Sequence, residues 1–193
     1  MAKKEKILII GNTGFIGSWL TIYLATKNET NLYGISYKEE NIILQSIIKE
    51  NNLIKKQYLS NAQNFKKLAE IINYIKPDVV YQLAASPLVE EGIKNPYKTF
   101  YNNIIVTLNV LEILINIKSC KKIINFSSDK CYEPTSKKII ENFKLGGKEP
   151  YSLSKAASEM ILKGYENKII IKNKILINIR AGNVIGGDRK SVV

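Results

Sequence analysis

Residues 6–17 read Lys6-Ile-Leu-Ile-Ile10-Gly11-Asn-Thr-Gly14-Phe-Ile-Gly17, a short apolar run that enters a glycine-rich turn. A run of this kind, bounded by a turn, predicts a buried strand. Gly11 permits a tight exit from the strand, Gly14 lets the backbone approach a pyrophosphate, and Gly17 allows a helix to pack closely on a sheet. We interpret the stretch as a dinucleotide-binding turn, the alternative being a purely structural turn.

The rest of the chain alternates between apolar runs and stretches whose apolar residues have helical spacing. Helices are predicted over residues 18–26, 40–50, 65–75, 97–117 and 151–166, and strands over residues 6–10, 31–37, 56–59, 78–83, 122–126 and 174–180. This alternation predicts an α/β fold, a Rossmann-type doubly wound parallel sheet with helices on both faces. Because ligands bind outside the carboxyl ends of the strands in such sheets, we expect the functional residues there.

The charge of the chain says little about its partners. The 193 residues carry a net charge of +12, and 45% of them are hydrophobic, which fits one domain with a sizeable core. Lysine supplies nearly all the positive charge, because Arg180 and Arg189 are the only arginines. Phosphate and base recognition usually uses arginine and a clustered basic stripe, so we expect a solvated surface and no nucleic-acid partner.

Several other classes of function are excluded by what the sequence lacks. It has no histidine, which excludes Ser-His and Cys-His triads, and Cys120 and Cys131 have neither metal-ligand nor disulfide spacing, so no metal is expected. No stretch reaches the roughly 18 apolar residues of a membrane helix. Gly11 interrupts the first apolar run too soon for a secretory signal. We therefore expect a cytoplasmic protein with no membrane partner.

Tyr151 and Lys155 form a candidate acid/base pair. A spacing of four residues places both side chains on one face of a helix. A nearby ammonium stabilises a phenolate, so Tyr151 can take or return the proton of a sugar or alcohol hydroxyl while a nicotinamide exchanges hydride. The pair occurs by chance in many helices, and it gains weight here from the glycine turn.

Ser128, Asp129 and Lys130 follow the fifth predicted strand and add groups that simple alcohol oxidation does not need. Ser128 can hydrogen-bond the substrate oxygen on which Tyr151 acts. Asp129 can serve as a general acid if a closed site raises its pKa, and Lys130, if desolvated, can serve as a base or stabilise an enolate. The alternative is a polar strand end that caps the next turn.

Five stretches together resemble the extended short-chain dehydrogenase/reductase superfamily. They are Gly11-Asn-Thr-Gly14-Phe-Ile-Gly17-Ser-Trp19-Leu20, Leu83-Ala-Ala85-Ser-Pro87-Leu-Val89, Ser128-Asp-Lys130-Cys-Tyr132, Pro150-Tyr151-Ser-Leu-Ser-Lys155 and Arg180-Ala-Gly-Asn183-Val-Ile-Gly-Gly187. Within the superfamily they look most like the CDP-glucose 4,6-dehydratases. The resemblance extends over essentially the whole chain up to Gly187.

The resemblance implies a nucleotide-sugar substrate and an internal NAD redox cycle that makes a 4-keto-6-deoxy sugar. In the family, the tyrosine takes the C4 hydroxyl proton as hydride leaves C4, which places Tyr151 and Lys155 in that role. A base at or near Lys130 removes the C5 proton, Asp129 protonates the leaving C6 hydroxyl, and hydride returns to C6. An epimerase or reductase of the same superfamily stays an alternative.

The resemblance also assigns binding residues. Cofactor-lining positions of the family fall on Gly11, Asn12, Thr13, Gly14, Phe15, Ile16, Gly17, Asn61, Ala62, Leu83, Ala84, Ala85 and Asn103, besides Tyr151 and Lys155. Substrate contacts fall on Ser86, Pro87, Ser128 and Asn183. The chain departs from the family at Asn61, where an aspartate is usual, and at Glu90-Glu91-Gly92, where an arginine is usual.

Three questions stay open in the sequence: the identity of the cofactor, the oligomeric state and the role of the carboxyl end. The acidic residue that binds the cofactor ribose would be Glu39 or Glu40, which favours NAD, whereas Lys38 would tolerate NADP. The helices at 97–117 and 151–166 have apolar faces that pair in family homodimers, but faces directed at the core would look the same.

The third open question is the carboxyl end. Residues 1–187 read as the cofactor-binding domain with the catalytic residues. Residues 188–193 read as an atypical tail where the family continues into its substrate-binding region. We therefore expect that region to be largely absent, and a non-catalytic dinucleotide-binding module is a second alternative.

Overall fold

The computed structural model describes residues 4–27, 30–38 and 42–187. Six strands of this part of the chain form one sheet: β1 (Glu5–Ile10), β2 (Thr30–Ser36), β3 (Lys56–Leu59), β4 (Val79–Gln82), β5 (Lys122–Ser128) and β6 (Ile175–Ala181). They lie in the order β3-β2-β1-β4-β5-β6, and all neighbouring pairs are parallel. The order reverses between β1 and β4, which places a crevice at their carboxyl ends. The predicted doubly wound parallel sheet is confirmed.

Helices connect the strands along the described ranges: α1 (Phe15–Ala25), α2 (Ile42–Glu50), α3 (Phe65–Ile75), α4 (Val89–Lys94), α5 (Pro96–Leu114) and α6 (Pro150–Ile171). A short 3-10 helix, Asp129–Cys131, follows β5. The predicted elements are all present, but β5 runs on to Ser128 and α6 to Ile171. The sequence reading missed α4, because a helix of 6 residues is too short to show an apolar periodicity.

The first strand explains why the core has two sides. Residues Ile7–Ile10 are all at most 3% exposed. Because side chains alternate along a strand, Leu8 and Ile10 join a cluster with residues of α3 and α5, whereas Ile7 and Ile9 join a cluster with residues of α1. A continuous apolar run is therefore what this central strand requires, and helices cover both faces of the sheet.

The last strand keeps part of its apolar surface exposed. Ile175, Ile177 and Ile179 are 52%, 44% and 36% exposed. They are paired in register with Lys122, Ile124 and Phe126, of which the last two belong to the cluster under α1. The sheet face that carries the α1 cluster therefore continues onto β6, where the described residues leave it exposed.

The surroundings of Gly17 and Gly14 predict that substitution by alanine changes the free energy of unfolding differently at the two positions. A Cβ at Gly17 would collide with the Gly11 carbonyl oxygen and lie 2.7 Å from the Asn12 Cα, whereas a Cβ at Gly14 would lie 3.4 Å from the Gly11 oxygen. We expect Gly17→Ala to lower the free energy of unfolding by about 1–3 kcal/mol. Gly14→Ala should stay within about 0.5 kcal/mol of the wild type. Denaturant unfolding followed by circular dichroism measures both, and equal losses would contradict the assignment.

Candidate active site

Backbone contacts build the turn after β1. Gly11 has a φ of +90°, and a Cβ there would lie 2.7 Å from the Ala84 backbone nitrogen. The Gly14 N–H donates to the Gly11 carbonyl oxygen at 3.2 Å, and Gly14 caps α1 without a side chain that could close the helix end. First-turn N–H groups of a helix have no partner within it. The turn therefore fits a pyrophosphate, which needs close backbone approach at a helix N-terminus.

The two polar residues of the turn, Asn12 and Thr13, stabilise it through side-chain hydrogen bonds. Asn12 is fully buried, and its side-chain amide donates to the Gln57 Oε1 at 2.6 Å and accepts from the Gln57 Nε2 at 3.1 Å. A Cβ on Gly34 of β2 would meet this Asn12 amide at 2.5 Å, so a glycine is needed there. The Thr13 hydroxyl donates to the Lys38 carbonyl oxygen at 2.6 Å. The Asn12 side chain thus ties the turn to β3, and the Thr13 side chain ties it to the segment after β2.

Asn103, a predicted cofactor-lining residue, connects the loop after β4 to two helices through hydrogen bonds. Asn103 lies on α5 and is 3% exposed. Its side chain accepts from the Ser86 N–H at 2.7 Å, donates to the Ser86 carbonyl oxygen at 3.3 Å and donates to the Ser154 hydroxyl of α6 at 2.8 Å. The loop that carries Ala84, Ala85 and Ser86 is thereby held against the helix that carries the candidate catalytic pair.

The loop after β3 connects to the same place through side-chain amides. The Asn61 amide donates to the Gln63 Oε1 at 3.1 Å, and Gln63 in turn donates to the Asn102 side chain. Asn102 donates to the Ser86 hydroxyl at 2.7 Å. The Asn109 amide donates to the Ala62 carbonyl oxygen at 3.1 Å and to the Gln63 carbonyl oxygen at 2.9 Å. Asn61, Ala62 and Ser86, which the sequence assigned to cofactor and substrate, therefore belong to one connected network.

Tyr151 and Lys155 lie in the first turns of α6 and are both buried. The Glu149 carboxylate caps this helix by accepting from the Tyr151 N–H at 2.6 Å and the Ser152 N–H at 2.7 Å. The Lys155 ammonium donates to the Phe126 carbonyl oxygen of β5 at 3.2 Å. Burial lowers the pKa of Lys155 to about 8, although the Glu159 carboxylate and then Cys131 act in the opposite direction. The pKa of this lysine therefore lies below that of an exposed ammonium.

Ser128 ends β5 beside this helix. Its hydroxyl donates to the Asp129 Oδ1 at 3.1 Å and accepts from the Lys130 N–H at 3.2 Å, so it caps the 3-10 helix. That helix packs against α6. Ser128 is buried, but Asp129 and Lys130 are exposed, and the Asp129 carboxylate is 3.7 Å from the position of a Cβ on Gly182. The desolvation that the proposed roles of Asp129 and Lys130 require is therefore not supplied by the described residues.

The N-terminus of α6 also contacts α4, the helix that the sequence reading missed. A Cβ on Gly92 would lie 3.3 Å from the Tyr151 nitrogen and 3.4 Å from its Cβ. The absence of a side chain at Gly92 thus sets how closely α4 approaches Tyr151. Glu90 and Glu91 lie in the first turn of this helix.

Sequence reasoning also missed a buried ion pair beneath Lys155. Glu159 of α6 is 4% exposed and accepts from the Arg180 Nε at 2.8 Å and from the Ser127 hydroxyl at 2.5 Å. Burial alone would raise the pKa of Glu159, but hydrogen bonds from Arg180, Ser127 and Cys131 outweigh it and hold that pKa below its usual value. The spacing of Glu159, four residues after Lys155, indicated the shared helix face but not the pairing with Arg180.

Some predicted residues contribute less to this geometry. Phe15 and Ile16 line a cavity of about 510 Å³ between α1 and residues 184–187. Asn183 is exposed after β6. Glu39, Glu40 and the tail at 188–193 lie outside the described residues, so the choice between NAD and NADP stays a prediction.

Comparisons with known proteins identify the family to which the chain is similar. A family model described as GDP-mannose 4,6 dehydratase matches residues 8–189. The CDP-glucose 4,6-dehydratase of Salmonella typhimurium is 31% identical over 95% of this chain and 53% of its own length. The UDP-glucose 4-epimerase of Mycoplasma genitalium is 29% identical over 95% of this chain and 54% of its own length.

A solved structure shows the same fold. The UDP-glucuronic acid 4-epimerase from Bacillus cereus, solved in complex with UDP-glucuronic acid and NAD, superposes with a TM-score of 0.77 at 26% identity, over 91% of this chain and 55% of that one. The chain thus spans about half the length of the relatives it matches. None of the helices in the described ranges is long and apolar enough to cross a membrane.

These matches confirm the resemblance that the motifs indicated. The family match covers most of the chain and includes the glycine turn and both candidate catalytic motifs. The chain belongs to the GDP-mannose 4,6 dehydratase family of nucleotide-sugar dehydratases and epimerases.

Proposed function

We propose that this chain is the cofactor-binding and catalytic half of a nucleotide-sugar 4,6-dehydratase that converts CDP-glucose to CDP-4-keto-6-deoxyglucose with NAD. One observation carries the proposal: the 3-10 helix with Asp129 and Lys130 packs against the helix with Tyr151 and Lys155. Epimerisation at C4 needs only the Tyr151 pair. The additional acid and base are the groups that elimination of water requires.

The glycine turn, Ala84 and Ala85 would hold NAD, which when bound supplies the acceptor and later the donor of hydride. Tyr151 would take the proton of the C4 hydroxyl, because the Lys155 ammonium nearby favours its phenolate. Ser128 would hydrogen-bond the same sugar oxygen. Tyr151, Lys155 and Ser128 are already buried, and hydrogen bonds hold the Lys155 ammonium and the Ser128 hydroxyl.

Elimination would use the second pair of groups. Once C4 is a ketone, its C5 proton is acidic, and a base at or near Lys130 would remove it. Asp129 would give its proton to the C6 hydroxyl, so that water leaves and a C5–C6 double bond forms. Return of hydride to C6, which bound NAD would supply, and of a proton to C5 would balance the reaction as the net loss of one water.

Binding of NAD⁺ tests the first half of the proposal. A Cβ at Gly14 would stand where the pyrophosphate must approach, so Gly14→Ala should weaken binding by tenfold or more, about 1.4 kcal/mol, while the fold survives. Isothermal titration calorimetry of wild type and variant measures this. Equal affinities would contradict the assignment of the turn.

Turnover of CDP-glucose tests the second half. The chain with NAD⁺ should form the 4-keto-6-deoxy product, detected by its absorbance in alkali, and Tyr151→Phe should reduce the rate by about 10²- to 10⁴-fold. Asp129→Asn should still oxidise C4, so that reduced cofactor accumulates at 340 nm without product. Formation of the C4 epimer instead would favour an epimerase. Binding of NAD⁺ without turnover would leave a dinucleotide-binding module and contradict the proposal for this chain.

Gly92 predicts how sensitive the tyrosine is to the packing of α4. Gly92→Val should press on the Tyr151 backbone and lower kcat by about 10- to 100-fold, because small displacements of a reacting group are costly. NAD⁺ affinity should change little. Gly164→Val on α6 is the matched control, since a Cβ there meets nothing within 4 Å. Equal effects of the two substitutions on kcat would exclude a role for the contact.

A further inference from the structure

Glu159 is a buried carboxylate that the proposed chemistry does not use. It is 4% exposed and receives three charge-assisted hydrogen bonds from Arg180, from Nε at 3.0 and 2.8 Å and from Nη2 at 2.5 Å. The Ser127 hydroxyl donates to the same carboxylate at 2.5 Å. A carboxylate at this depth stays ionised only with such partners. The partners leave Glu159 negatively charged and fix where its charge lies.

Its place on α6 relates this charge to the catalytic pair. Tyr151, Lys155 and Glu159 follow at intervals of four residues, so they share one face of the helix. Lys155 donates to the carbonyl oxygen of Phe126, and Glu159 accepts from the hydroxyl of Ser127. Lysine and glutamate therefore hold two consecutive residues of the strand that ends in Ser128.

The charges around Lys155 can be named from each element that packs on it. Its own helix supplies Glu159, the 3-10 helix supplies Cys131, and β6 supplies Arg180 through Glu159. Burial pulls the pKa of Lys155 down to about 8, and Glu159 is the strongest group that acts against this fall. Burial raises the pKa of Cys131 to about 12, so it is a neutral thiol near neutral pH. Glu159 is thus the negative charge that counts for Lys155 there.

We propose that Glu159 is a positioning residue that keeps Lys155 charged and seated on β5, and that Arg180 and Ser127 hold its carboxylate in place for this purpose. Glu159 acts through Lys155 and has no contact with substrate. The inference rests on the proposed function only for the use that Tyr151 makes of Lys155. The effect on Lys155 itself is present in the chain without cofactor or substrate.

Titration of Lys155 in Glu159→Gln tests the inference directly. Removal of a nearby carboxylate disfavours the ammonium, so the titration midpoint should fall by about one unit or more. The lysine Cε resonances of ¹³C-labelled protein report the midpoint, and the signal lost in Lys155→Arg identifies the residue. Glu166→Gln is the matched control, because Glu166 lies on the same helix but is exposed. Its midpoint for Lys155 should equal that of the wild type.

Arg180→Gln should lower the Lys155 midpoint as well. A buried carboxylate without its cation takes up a proton, so the negative charge that favours the Lys155 ammonium is lost. An ion pair that serves stability alone would leave the Lys155 midpoint unchanged in the folded variants. An unchanged Lys155 midpoint in folded Glu159→Gln would overturn the inference.

A measurement on the wild type covers the case in which neither variant folds. A glutamate Cδ resonance should then show an inflection at the Lys155 midpoint, and this inflection should vanish in Lys155→Arg. Its absence from the wild type would also overturn the inference. All of these experiments are done without ligands, so a chain that shows the shifts but no turnover would refute the proposed function and leave the role of Glu159 standing.

Discussion

The close approach of α1 to the turn after β1 is the constraint on which the rest of the structure depends. Gly17 packs against the Gly11 carbonyl and the Asn12 Cα, and Gly11 packs against the backbone of Ala84. Three segments thus meet with no side chain between them. This contact sets the helix N-terminus over the point where the strand order reverses, which is where a parallel sheet offers a crevice. The fully buried Asn12 secures it through a strand two positions away in the sheet.

The helix that carries the candidate catalytic pair is attached to the sheet in a different way. Much of the buried surface of α6 is polar, including Ser154, Lys155, Ser158 and Glu159. Each of these side chains has a hydrogen-bond partner on β5, β6, α5 or its own helix. Apolar contacts tolerate small slips along a helix axis, whereas hydrogen bonds between buried groups do not. The polar attachment therefore suits a helix whose tyrosine must hold one position.

The sequence predicted the features that depend on local patterns and missed those that depend on contacts between residues far apart in the chain. The two-sided burial of Ile7–Ile10 and the helical faces are local patterns, and they predicted the fold correctly. The pairing of Glu159 with Arg180 joins a helix to the following strand, and no local pattern reveals it. The bracing role of Asn12 likewise depends on Gln57, far along the chain. Motifs identify which residues matter, but the partners of those residues come from the packing.

Burial separates the two halves of the proposed reaction. Tyr151 and Lys155 are already buried among the described residues. The groups that would take part in oxidation at C4 are therefore already in place. Asp129 and Lys130 are exposed, whereas general acid and base chemistry of this kind needs a site from which water is excluded. A dehydratase therefore needs further structure over Asp129, either from a bound nucleotide sugar or from polypeptide outside the described residues. The step that distinguishes a dehydratase from an epimerase is thus the one that depends on closure of the site.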